Sequence, residues 1–366
     1  RPPGDERRVV IAALGSGPLP RTMIAIFVSG GVALAVAVFG TPLLIKWLVS
    51  YGVGQHIRED GPAGHAVKAG TPTMGGIAMV VAADAGYLAG HIGTHSPFTR
   101  AGVLTVVTAT AAGLVGFVDD LISVRRARSL GLNKRAKFGA LLLISIGFGL
   151  AASHWAGVST GLSFTRYDVP GVALGGVVFV IWAAVIIVGT ANAVNLTDGL
   201  DGLASGASAF GFACLTLIAY WQLRHLSIYR VPFGLDLALA SVAFGAACVG
   251  FLWWNASPAK IFMGDTGSLA LGTGLACGAI CMNLQLLLPI MGGLFVIETL
   301  SVVAQVISFR VFHTRVFRMA PVHHHYELSG WPETTVIVRF WIMSALCTAL
   351  AMGLFYADFL SVRGGA

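Results

Sequence analysis

The sequence predicts an all-α, polytopic integral membrane protein with about ten transmembrane helices. Three observations carry this. Of 366 residues, 56% are hydrophobic and only 11% are charged, whereas a soluble domain carries about 25% charged residues. The apolar residues are gathered into long runs, and a membrane span needs ~20 of them. Between the runs lie five acidic clusters: Glu59 with Asp60, Asp119 with Asp120, Asp198 with Asp201, Asp265, and Glu327 with Glu333.

The predicted spans, in order, are 22–48, 73–93, 101–118, 138–157, 171–191, 203–223, 235–254, 266–284, 287–309 and 336–357. The first, fourth, seventh and tenth are plain apolar runs. The second opens at Pro72 and Thr73, residue types that suit a helix start. The third ends at the Asp119 and Asp120 pair. The fifth follows a segment, 154–170, whose Ser, Thr and Gly turn chemistry could form a short hairpin. The sixth begins where Gly199 and Gly202 break the preceding polar stretch. Asp265 stands at the start of the eighth, where Asp is a favoured cap. Only Asn283, Gln285 and Pro289 separate the eighth from the ninth.

Residues 1–21 hold Pro2, Pro3, Pro18, Pro20 and mixed charges, and resemble neither a signal peptide nor a span. The expectation is a disordered extension or a misassigned start before Met23. Residues 22–360 then form one transmembrane catalytic domain. The loops 49–72, 119–137, 192–202, 255–265 and 310–335, with their flanks, carry fourteen of the 23 Lys and Arg residues. The opposite loops carry five, the N-terminal stretch aside. The positive-inside rule places the richer set in the cytoplasm and both termini outside. The net charge of +7 therefore reflects membrane topology, and no nucleic-acid partner is expected. Cys214, Cys248, Cys277, Cys281 and Cys347 fall in apolar runs and read as small buried hydrophobes.

Each cytoplasmic loop has a chemical reading and a plainer one. Lys68 followed by GTPTMGG (70–76) is a natural anion site at a helix N-terminus, or a tight loop of small residues that lets helices pack. Two adjacent carboxylates at a span end, Asp119 and Asp120, need solvent, a cation or a metal, and Mg²⁺ takes one or two carboxylates while leaving room for phosphate oxygens. The basic run after them, including Lys137, also suits a loop near anionic lipid. Asn192, Asn195, Asp198 and Asp201 recur every third residue, so each step falls about 60° short of a helical turn and the four form a wrapping cup. Asn255 and Asp265 flank the fourth loop, where Asp265 is either a helix cap or a metal ligand. His323, His324 and His325 are consecutive. Adjacent side chains diverge, so three in a row rarely hold one zinc ion; imidazoles facing phosphate fit the other loops better. Glu298 and Asp84 lie within predicted spans, where isolated charge is expensive, and Glu298 is expected to line a polar crevice.

Five phrases occur in order: GTPTMGG, GFVDD from Gly116, NAVNLTDGLDGLA from Asn192, FMGDTGSLALG from Phe262 and PVHHHYELSGWPE from Pro321. Together, from about Met23 to the last span, they resemble the polyprenyl-phosphate N-acetylhexosamine-1-phosphate transferases. The triple His followed by Tyr326 and Glu327 resembles the phospho-N-acetylmuramoyl-pentapeptide-transferase branch. Siblings that use UDP-N-acetylglucosamine carry a different His/Arg-type loop there.

The resemblance implies transfer of phospho-MurNAc-pentapeptide from UDP-MurNAc-pentapeptide to undecaprenyl phosphate, giving lipid I and UMP. It also implies a Mg²⁺ cofactor, a multi-pass location in the bacterial inner membrane among membrane lipid, and an active site facing the cytoplasm. It leaves room for a homodimer. Asp119, Asp120, Asp265, His324 and His325 become the expected catalytic residues. Asp265 is the expected Mg²⁺ ligand, with Asn195, Asp198, Asp119 and Asp120 as further candidates. Lys68, Thr73, Asn192, Asp201, Asn255 and Phe262 are expected around the nucleotide, with Phe262 near uracil. Asn195 and Asp198 are expected along the diphosphate and sugar, and Lys137 and His323 on phosphate or sugar groups. One departure stands out. The family commonly has Lys three residues after the second Asp of the pair, and here Ser123 stands there. Either Arg125 or Arg126 substitutes, or that Lys is dispensable.

The alternatives are a transferase using UDP-N-acetylglucosamine and a transporter with a cytoplasmic cation site. A transporter should place charged or broken segments near the membrane midplane, often in repeated halves, and no repeat is visible.

Overall fold

The computed structural model describes residues 19–51, 70–126 and 131–364. Glu59, Asp60 and Lys68 lie outside the described residues, as does nearly all of the stretch 1–21. The described residues are mostly helical. Its elements are α1 (Leu19–Ser50), α2 (Gly76–Thr94), α3 (Arg100–Arg125), α4 (Lys134–His154), β1 (Gly161–Ser163), β2 (Pro170–Ala173), α5 (Gly176–Thr197), α6 (Leu203–Arg224), α7 (Leu226–Tyr229), α8 (Gly234–Asn255), α9 (Gly264–Cys281), α10 (Leu288–Met291), α11 (Gly293–Phe312), α12 (Val322–Leu328) and α13 (Glu333–Gly364).

Nine of the described helices are long and apolar enough to cross a membrane, so the chain is a multi-pass membrane protein. The tenth long helix, α9, fails that test for a physical reason. It is rich in Gly and Thr, and every residue from Thr266 to Cys281 is buried. Helices α2, α3, α5, α6 and α8 surround it, so it meets protein where the others meet lipid. Small residues let those neighbours approach closely. A Cβ on Gly76 would lie 2.0 Å from the Gly267 backbone nitrogen, which brings the start of α2 against the first turn of α9.

The weak break between the eighth and ninth predicted spans is real. After Cys281 the chain turns through Asn283 (φ 59°) and the single turn α10 before α11 begins. The segment before α5 forms a hairpin: β1 pairs antiparallel with β2, Leu162 opposite Val172. That strand takes the first residues predicted for the fifth span, and α5 starts at Gly176.

Candidate active site

Loops that are far apart in sequence meet at one end of the bundle. There the C-terminal turn of α3, the end of α5, the loop 255–263 and the start of α9 converge. The N–H groups of the first turn of α9 have no partner within their own helix. Asp120, from α3, takes them: Oδ1 accepts from the Asp265 N–H at 3.0 Å, and Oδ2 accepts from the Thr266 N–H at 3.0 Å and Oγ1 at 2.7 Å. Gly264 makes the approach possible. Its φ is +73°, and a Cβ there would sit 2.7 Å from Asp120 Oδ2.

The neighbouring carboxylates are held by other segments. Asp265 Oδ1 accepts from Asn195 Nδ2 at 2.6 Å, and Asn195 Nδ2 also donates to Ser268 Oγ at 2.9 Å. Lys137, from the first turn of α4, donates to Asp265 Oδ2. Asp119 Oδ1 accepts from the Leu132 N–H at 2.8 Å. Oxygens of Asp119, Asp120 and Asp265 all lie within 4.8 Å of one another. Asp198, which ends α5, accepts from the Gly264 N–H. Burial and the negative charges of Asp265, Asp120 and Asp201 raise its carboxyl from the ordinary 3.8 to about 8. Among the described residues, three clustered carboxylates face one lysine. That donor set and charge fit a hard divalent cation, which takes oxygen ligands.

Beside this cluster a second layer is knitted from loops. The Phe262 N–H donates to Pro72 O, while the Gly75 and Gly76 N–H groups donate to Phe262 O and Met263 O, each at 2.8 Å. Thr73 sits half-buried in that paired segment. Asp201 Oδ2 accepts from the Ala259 N–H at 3.0 Å. Asn255 donates to Ile261 O at 2.9 Å and accepts from Ser205 Oγ at 3.1 Å. Asn192 donates to Val188 O at 2.8 Å, back along its own helix.

The three histidines of α12 diverge. His323 is fully buried, with Nδ1 3.1 Å from Glu298 Oε2 and Nε2 against Gly199. His324 Nδ1 lies 2.7 Å from Glu327 Oε2. His325 Nδ1 accepts from the Arg318 N–H at 3.1 Å. Glu298 therefore lines no open crevice; it is enclosed and faces His323. The departure at Ser123 also has a counterpart in space. Arg125 and Arg126 are exposed at the end of α3, and Lys137 is the cation on the carboxylate cluster. Residues not singled out from sequence are Thr266, Ser268 and Leu132. Asp-Thr-Gly-Ser at a helix start was a readable signal for the first two, because Ser and Thr favour helix starts. Leu132 acts through its backbone, which leaves no trace in residue type.

An apolar cavity of about 280 Å³ lies between α5 and α11, lined by Trp182, Ile186, Ala193, Phe295, Val296 and Leu300 among others. Ala193 is two residues before Asn195, about 3 Å along the helix axis.

The model of glycosyl transferase family 4 matches residues 103–283. The phospho-N-acetylmuramoyl-pentapeptide-transferase of Frankia casuarinae is 51% identical over 94% of this chain and 100% of its own length. That of Saccharopolyspora erythraea is 50% identical over 93% of this chain and 99% of its own, and that of Mycolicibacterium smegmatis 46% over 93% and 100%. The chain belongs to the phospho-N-acetylmuramoyl-pentapeptide-transferase family. The matches to these transferases cover 93–94% of the chain.

Proposed function

We propose that the protein transfers phospho-MurNAc-pentapeptide from UDP-MurNAc-pentapeptide to undecaprenyl phosphate, releasing UMP and forming lipid I, at the cytoplasmic face of the bacterial inner membrane. One observation supports this above the rest: carboxylates and an amide from three segments gather at the start of α9, and α5, whose end supplies that amide, Asn195, also walls an apolar cavity with room for part of a prenyl tail. Ligand sites are commonly of this mixed kind. Carboxylates with one lysine suit Mg²⁺ over a softer ion.

The reaction joins two anions. An oxygen of the lipid phosphate attacks the sugar-side phosphorus in line, the bond to UMP breaks, and UMP leaves with its electron pair. Positioning and charge neutralisation carry most of such catalysis. Asp265, with Asn195, Asp198, Asp119 and Asp120, would hold the magnesium. Mg²⁺ bound there would offset the repulsion between phosphates and stabilise the departing UMP. Asp119 orients or deprotonates the lipid phosphate. Lys137 neutralises a phosphate oxygen. Thr73, Asn192, Asp201, Asn255 and Phe262 form the nucleotide side; Lys68, outside the described residues, is proposed for the same side. His324 and His325 face phosphate or sugar groups. The prenyl tail lies along the groove between α5 and α11.

The test is UMP release by purified protein, with UDP-MurNAc-pentapeptide or UDP-N-acetylglucosamine as donor, with undecaprenyl phosphate, and with or without Mg²⁺. Mg²⁺-dependent release from the muramoyl donor alone is expected. Equal or greater release from UDP-N-acetylglucosamine overturns the donor assignment. A labelled phospho-sugar enzyme formed without lipid acceptor would overturn the direct attack in favour of a covalent aspartate intermediate.

A further inference from the structure

Helix α11 is apolar on the side that walls the groove and polar on the other. Phe295, Val296, Thr299 and Leu300 line the cavity. Glu298, Ser301, Gln305 and Ser308 recur at three- and four-residue steps, which puts them on one face. The segment after α11 folds back along that polar face in antiparallel order. Ser308 Oγ donates to Thr314 O at 3.0 Å. Gln305 brackets Phe317, with Nε2 donating to its carbonyl at 3.2 Å and Oε1 accepting from its N–H at 2.9 Å. Glu298 meets His323 at 3.1 Å, and both side chains are fully buried. The other edge of the His323 ring abuts Gly199, where an added Cβ would come within 2.3 Å of Nε2. Gly199 directly follows Asp198.

A buried carboxylate and imidazole in a membrane protein are costly to enclose, and such groups are retained for function more often than for stability. We propose that Glu298 is a positioning residue: it fixes the His323 ring, the ring fixes the 198–202 turn, and the acceptor-groove wall and the donor-side loop thereby move as one body. An acceptor tail seated along α11 then sets the geometry of the phosphate site. The inference rests on the transfer reaction proposed above.

The experiment compares kcat for undecaprenyl phosphate with kcat for a two-isoprene prenyl phosphate, which is too short to follow the groove, at saturating donor and acceptor. Wild type is expected to favour the long acceptor by about tenfold or more, within the usual range of site-to-site coupling. Glu298→Gln replaces the carboxylate that faces His323 with an amide of the same shape and is expected to lower that ratio about fivefold. Glu298→Ala is expected to bring it close to one. A merely structural glutamate would slow both acceptors by the same factor. An unchanged ratio in Glu298→Gln overturns the proposal, and it decides alone if Glu298→Ala does not fold. Equal wild-type rates for the two acceptors overturn the coupling while leaving the transferase reading intact. No UMP release from wild type with either acceptor overturns the transferase reading and the coupling with it.

Discussion

Two buried carboxylates at opposite ends of the bundle are built alike and loaded differently. Asp236, in the first turn of α8, reaches across to the start of α3 and accepts from the Thr99 N–H. It also meets His91 Nε2 at 3.0 Å, and the other nitrogen of that ring lies 3.0 Å from Ser96 O. Phe98 stacks on the ring at 4.0 Å. Asp120 likewise caps a helix that is not its own, α9. The difference is in the company. Asp236 has an imidazole and a backbone N–H, which close the site. Asp120 has Asp119 and Asp265 within 4.8 Å, and among the described residues Lys137 is the cation paired with that cluster. The same device, a carboxylate on a neighbour's helix start, is paired with an imidazole at one end of the bundle and gathered with two further carboxylates at the other.

The comparison can be broken or sharpened in four ways. The largest effect is expected for Asp265→Ala: a loss of UMP release of about 10³-fold, the scale for removing an electrostatic stabiliser, with the melting temperature in detergent little changed. An intact rate would end the site assignment. Next, Asp236→Ala should cost about 3 kcal/mol of stability, because it strands buried partners, while turnover per folded molecule stays within about twofold of wild type. A rate collapse at full folding would mean the two ends are not distinct in role. Asp120→Asn is expected to fall between them, losing about 1–2 kcal/mol of stability as a weaker cap and about tenfold in rate; thermal melts and UMP release on one preparation separate the two losses. The smallest effect concerns pH. Asp198 sits at about 8 when folded against an ordinary 3.8, so the folded protein holds more protons between those values. Without divalent cation, the Asp198 contribution to stability should fall as pH rises from about 4 to about 8 and be constant outside that window. Adding Mg²⁺ should flatten the slope, and melts at pH 5 and pH 8 with and without Mg²⁺ read it directly.

Much of this was legible in residue order. The alternation of helix direction makes alternate loops meet, so polar residues at 119–120, 192–201 and 265 had to share one end once the spans were read correctly. Period-three amides and carboxylates before Gly199 and Gly202 were readable as a cup because glycine breaks the helix there. What could not be read was anything set by chain reversal over intermediate distance. Glu298 and His323 are 25 residues apart and meet only because residues 313–323 run back along α11. Glu298 looked like a lone charge in a span for that reason. Asp84 has a similar history: Thr110 Oγ1, from the next helix, lies 3.1 Å from both its oxygens. Helix α9 was readable as a helix but not as the one enclosed by the rest, since its burial is a property of its neighbours.

That enclosure bears on biogenesis. A segment so modest in apolarity has little drive to partition into lipid by itself, yet α2, α3, α5, α6 and α8, which wrap it, are all made before it. The helices that wrap α9 precede it in the chain, so Asp265 joins Asp119 and Asp120 only when α9 has taken its place among them. Assembly of the bundle and completion of the carboxylate cluster are thus a single event, and a chain released before residue 264 lacks both its central helix and its chemistry.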